Sequence, residues 1–115
     1  DGLDEITLSG TTEVCEVNNG KFTRYTLDPR DYGFEYCSQA DMVGGDPVEN
    51  AEIVRSILKG EKSPKRDVVL LNSAACIYLA KEDISMKEAI KIAADVIDSG
   101  KALEQLEAFI KLSNA

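Results

Sequence analysis

Apolar residues fall into two patterns along the chain. Over residues 5–27 they alternate with polar ones among β-branched and aromatic types, in Ile6-Thr7-Leu8, then 11–17, then 21–27. This period of two predicts short strands. Asn18-Asn19-Gly20 separates the last two runs, and Asn19-Gly20 is a strong two-residue hairpin turn. That register sets Val17 opposite Phe22 and Val14 opposite Tyr25. Both faces of the ribbon then carry apolar groups, which predicts packing against more than one helix layer. Residues 29–45 hold glycines and scattered aromatics without a period, as expected of an ordered surface connection.

From residue 46 the spacing is helical. Asp46-Pro47-Val48-Glu49 sets an N-cap, a first-turn proline and a reciprocal glutamate in order. Ala51, Val54 and Leu58, broadened by Ile57, predict the packed side, and Gly60 the stop. A second helix is predicted from Ser63-Pro64 to Leu79. It is apolar nearly all round, with small Ala74, Ala75 and Cys76, so it reads as a central buried helix. Ser85-Met86-Lys87-Glu88 opens a third helix running to about Asp98. Leu103, Leu106, Phe109 and Ile110 mark a fourth. The expectation is an α/β chain with a strand-rich segment, 1–27, and a helical segment, 46–113. Three short strands are too few for so much apolar helix, which predicts that further parallel strands lie upstream.

Composition narrows the function. With 43% hydrophobic and 30% charged residues in 115, the chain has the make-up of one folded unit. Twenty-one acidic against 13 basic residues, a net charge of -8, argue against a non-specific nucleic-acid binder. Cys15, Cys37 and Cys76 lack metal-ligand spacing and there is no histidine, which excludes a zinc site and a histidine base within the chain. No apolar run approaches membrane length, and the acidic opening residues are unlike a secretory signal, so a cytoplasmic setting is expected.

The leading chemical candidate is Asp4-Glu5 within Asp1-Gly2-Leu3-Asp4-Glu5. Magnesium takes hard oxygen ligands, keeps several waters, and binds through one or two carboxylates plus substrate phosphates. Adjacent side chains of an ideal strand point to opposite faces. Sharing one ion therefore needs a bend, which Gly2 eases, or a water bridge. The bland alternative is a solvated acidic segment.

For the other candidates the bland reading is the favoured one. Gly44-Gly45-Asp46 could be a phosphate loop or simply a helix start with Asp46 as its cap. Lys59, Lys62, Lys65 and Arg66 could attract an anion or form a solvated connection. Asn72, alone in an apolar helix, needs partners, either a neighbouring loop or a ligand. Cys76 reads as core rather than nucleophile, and Lys101 as surface.

Taken in order, these pieces resemble the anthranilate phosphoribosyltransferase family, in the C-terminal part of its α/β domain. The matching stretches are Asp1-Gly2-Leu3-Asp4-Glu5, then Tyr25-Thr26-Leu27-Asp28-Pro29-Arg30-Asp31-Tyr32-Gly33, then Gly44-Gly45-Asp46 leading to Glu49-Asn50-Ala51. Leu70-Leu71-Asn72-Ser73-Ala74-Ala75 and Asp98-Ser99-Gly100-Lys101-Ala102-Leu103 follow. The related nucleoside phosphorylases share the architecture. The resemblance implies transfer of phosphoribosyl from phosphoribosyl pyrophosphate to the anthranilate amine, with release of pyrophosphate, in tryptophan biosynthesis. It implies Mg2+ as cofactor, with Asp4 and Glu5 at the metal–diphosphate site. It places the glycine-rich diphosphate loop, the anthranilate contacts and the helical domain that builds the family homodimer upstream of this chain. The piece alone is then expected to be inactive. The competing expectations are part of a related nucleoside phosphorylase-type enzyme and a non-catalytic acidic interaction domain.

Overall fold

The computed structural model describes residues 2–115; Asp1, the first member of the acidic opening, lies outside the described residues. Strands β1 (Thr12–Asn18) and β2 (Lys21–Leu27) pair antiparallel in the expected register, Val17 with Phe22 and Val14 with Tyr25. The turn between them holds Asn19 at φ 50° and Gly20 at φ 77°, the left-handed pair that matches hairpin twist. Val17 and Phe22 remain exposed at the hairpin's far end.

Ile6-Thr7-Leu8, expected as a strand, belongs to no ladder among the described residues. The segment is held by other means. Thr7 Oγ1 accepts the Ser9 N–H at 2.9 Å and lies 2.8 Å from Ser9 Oγ, a side-chain turn that bends the backbone away from strand geometry. Leu8 is buried and its carbonyl accepts the Cys37 N–H at 3.0 Å.

Short 3-10 turns at Pro29–Tyr32 and Gln39–Met42 lead into the helices. Asp28 caps the first turn and pairs with Arg30 at 2.6 Å, while the Arg30 guanidinium lies 4.4 Å from the centre of the Tyr36 ring. The Arg30 side-chain hydrogen bond, aided by its backbone N–H, holds the Asp28 carboxyl down at about 2 against an ordinary 3.8. Its contribution to stability is therefore complete above pH 3.8 and lost as pH falls toward 2. The carboxyl carbon shift of Asp28 is expected to titrate near the lower value, and to return to the ordinary range in Arg30→Ala.

Four helices follow: α1 (Pro47–Leu58), α2 (Pro64–Ala80), α3 (Met86–Asp98) and α4 (Lys101–Ser113). The first three start on the expected caps, Asp46, Ser63 and Ser85. The fourth starts from Gly100, left-handed at φ 84°, without a side-chain cap. Helices α2 and α3 pack against each other, with Leu70, Leu71 and Ala74 of α2 and Ala89, Ala93 and Ile97 of α3 buried. Leu8, Leu27, Phe34 and Ile57 complete the core. Each buried leucine or isoleucine contributes about 1.5–3 kcal/mol relative to exposure.

Three expectations need correction. Helix α1 packs through Ile53, Ile57 and Leu58, whereas Ala51 and Val54 face outward, because the core lies beside α1's C-terminal half. Helix α2 is one-sided: Cys76 and Leu79 are exposed, since α3 covers only the opposite face. Arg66, grouped with solvated lysines, is instead 1% exposed and paired with Asp98.

Candidate functional site

The acidic segment forms one rim of an open cavity of about 690 Å³. Its lining includes residues 2–8, Asn50, Ile53 and Ile57 of α1, and Lys65, Val68 and Val69 of α2. Asp4 and Glu5 are both exposed there. Their backbone is fixed from the α2 side. Asn72 Oδ1 accepts the Ile6 N–H at 3.0 Å, and Asn72 Nδ2 donates to the Ile6 carbonyl at 2.9 Å and to the Val68 carbonyl at 3.0 Å. The lone amide within the apolar helix thus finds its partners in the neighbouring segment.

Lys65 reaches the same cavity, and its Nζ donates to the Asp41 carbonyl. This tie holds the Gln39–Met42 turn against α2. The sequence grouped Lys65 with a solvated loop. Its place in the first turn of a capped helix was the signal that its direction is set, whereas Lys59 and Lys62 in the connection are exposed. Lys101 is exposed at the start of α4.

The glycine pair is a helix start and not an anion cradle. Asp46 Oδ1 accepts the N–H groups of Val48 and Glu49 at 2.9 Å, and Glu49 Oε2 accepts that of Asp46 at 2.9 Å. Asn50 closes on Gly45 in both directions, accepting its N–H at 2.8 Å and donating to its carbonyl at 3.0 Å. The donors a phosphate would need are already used. A Cβ on Gly44 or Gly45 would sit 2.2 Å from Asn50 Oδ1 or 1.9 Å from Glu49 Oε2, so this close capping uses the absence of side chains at both positions.

Away from the cavity, the Glu16 carboxylate accepts the hydroxyl of Tyr78 at 2.9 Å and that of Tyr25 at 3.4 Å, tying the hairpin to α2. This shared carboxylate and partial burial push both phenols above their ordinary value. All three cysteines are free thiols, and burial raises that of Cys37, the opposite of what an activated nucleophile needs.

As ligands for a cation, Asp4 and Glu5 supply two hard, exposed oxygen groups at the edge of a cavity. No cluster of three or more acidic, cysteine or histidine side chains able to hold a metal occurs among the described residues. Such a pair fits magnesium, which is held by few carboxylates and completes its shell with water and phosphate oxygens, and does not fit a closed structural zinc site. No helix among the described residues is long and apolar enough to cross a membrane.

A family model described as glycosyl transferase family, a/b domain, matches residues 1–103. The anthranilate phosphoribosyltransferase of Lachnoclostridium phytofermentans is 55% identical over 114 residues, covering 99% of this chain and 34% of the relative. Among solved structures, the anthranilate phosphoribosyltransferase of Thermus thermophilus superposes with a TM-score of 0.88 at 37% identity, over 100% of this chain and 34% of that one. That of Saccharomyces cerevisiae in complex with PRPP and Mg superposes with a TM-score of 0.84 at 32% identity, over 96% of this chain and 32% of that one. The chain spans about a third of the length of the relatives it matches. It belongs to the glycosyl transferase family of that a/b-domain model, and its likeness to anthranilate phosphoribosyltransferases runs from the acidic segment through the last helix.

Proposed function

We propose that this chain forms part of an anthranilate phosphoribosyltransferase, which transfers phosphoribosyl from phosphoribosyl pyrophosphate to the anthranilate amine and releases pyrophosphate. The observation that carries the reading is the 55% identity to such an enzyme across 99% of this chain. An exposed carboxylate pair on a cavity rim gives that likeness a chemical location.

In the proposed reaction the amine nitrogen forms a bond to the ribose anomeric carbon as the bond from that carbon to the diphosphate oxygen breaks; the diphosphate leaves with the bonding electron pair, and the amine gives up one proton to solvent. Positive charge gathers on the ribose and negative charge on the leaving diphosphate. Asp4 and Glu5 would hold Mg2+, which when bound supplies neutralisation of the diphosphate charge. Their own part is placement and electrostatics, since neither carboxylate is asked to move a proton. Lys65, which lines the same cavity, adds positive potential toward an anionic substrate.

The decisive assay uses a full-length protein carrying this chain. It is expected to consume anthranilate only when phosphoribosyl pyrophosphate and Mg2+ are both present, releasing one pyrophosphate per turnover. Pyrophosphate release with a nucleobase, but not with anthranilate, would overturn the substrate assignment.

A further inference from the structure

The Asn72 amide faces a stretch of backbone that has no strand beside it among the described residues. Ile6 donates its N–H to Asn72 Oδ1 and accepts from Asn72 Nδ2 through its carbonyl, so both backbone polar groups of this residue are met by one side chain. Asparagine is suited to this because its amide offers an acceptor and a donor side by side; aspartate lacks the donor and leucine lacks both. The third bond, to the Val68 carbonyl one helical turn back, locks the amide so that its donor and acceptor cannot exchange places. Glu5 and Asp4 immediately precede Ile6. Just beyond it, Thr7 and Leu8 are buried. The clamp therefore sits at the boundary between a fixed segment and the exposed carboxylates.

We infer that Asn72 is a positioning residue for the Asp4–Glu5 pair, transmitting the rigidity of α2 through the backbone of Ile6. The inference rests on the proposed function, in which those carboxylates hold a metal–diphosphate complex. It assigns Asn72 no contact with substrate. Side chains that orient metal ligands from behind commonly change affinity by about 10–100-fold when removed.

The test uses the full-length protein with Asn72→Ala and Asn72→Asp, each alone and combined with Asp4→Asn and Glu5→Gln. Two readouts need no turnover: amide hydrogen exchange at Ile6, and Mn2+ binding in the presence of phosphoribosyl pyrophosphate, followed by electron paramagnetic resonance. Asn72→Ala is expected to speed Ile6 exchange and weaken Mn2+ binding by about tenfold. In the Asp4→Asn, Glu5→Gln background it should weaken binding no further, because the groups it positions are gone. Equal losses in both backgrounds, or faster Ile6 exchange with unchanged Mn2+ affinity, overturns the inference. Should Asn72→Ala not fold, Asn72→Asp decides: it keeps the acceptor for the Ile6 N–H but loses the donor, so a weakened affinity supports the inference and an unchanged one overturns it. If the Asp4→Asn, Glu5→Gln pair by itself leaves Mn2+ binding intact, the metal assignment is what fails. If that pair matters and Asn72 does not, only the positioning role fails.

Discussion

A full-length enzyme carrying Asp4→Asn and Glu5→Gln is expected to turn over about a hundredfold more slowly at magnesium levels that saturate the unaltered protein. The loss corresponds to roughly 2.7 kcal/mol of transition-state stabilisation, within the several kcal/mol a metal supplies to a charged leaving group. The amides keep the size and shape of the carboxylates and remove only charge. A neutral oxygen is still a ligand for a hard cation, though a weaker one, so part of the rate should return as magnesium is raised. Both residues are exposed. The substitutions should therefore leave stability within about 0.5 kcal/mol of the original. Turnover measured across a magnesium series checks this, and an unaltered magnesium dependence would remove Asp4 and Glu5 from the metal site.

The second large effect concerns stability. Asp98→Ala is expected to cost about 3 kcal/mol, the lower end for breaking a buried ion pair, because the Asp98 carboxylate is itself half exposed. Arg66 is not. Its side chain is 1% exposed, its Nη2 donates to Asp98 Oδ2 at 3.1 Å, and its Nη1 lies 2.9 Å from Asp98 Oδ1 outside hydrogen-bond geometry. Without Asp98 the guanidinium keeps its charge in a site that cannot hydrate it. The carboxylate in turn sits at the C-terminal end of α3, where a negative charge opposes the helix dipole, so Arg66 offsets an unfavourable placement. Arg66→Met removes the charge and retains much of the volume, and should cost less than Asp98→Ala. Denaturant unfolding of both variants in the full-length protein gives the order directly. A larger loss for Arg66→Met would show that packing by the arginine stem outweighs the stranded charge.

How much of this could be read from residues alone depends on how local the cause is. The hairpin register and the capped helix starts are set by neighbours in sequence, in Asn19-Gly20, Asp46-Pro47-Val48-Glu49 and Ser85-Met86-Lys87-Glu88, and they were legible. The need of Asn72 for partners was legible too, although the identity of Ile6 was not. Arg66 escaped because its burial is conferred by Asp98, a residue 32 positions away, while its sequence neighbours are those of a surface connection. Ile6-Thr7-Leu8 has the composition of a strand, but the Thr7–Ser9 side-chain turn and the Asn72 amide take the bonds a ladder would have used. On α1 the apolar spacing admitted more than one packed face, and only the position of the core chose Ile53 and Ile57.

The 66-residue span between Ile6 and Asn72 also orders events in time. A two-residue turn closes a hairpin in about 1–10 μs, so β1 and β2 can pair almost as soon as both exist. The acidic segment just ahead of them cannot settle until α2 has been made. With synthesis at about 5–20 residues per second, that delay lasts seconds. Throughout it, Asp4 and Glu5 lack the Asn72 clamp on the backbone of Ile6 beside them.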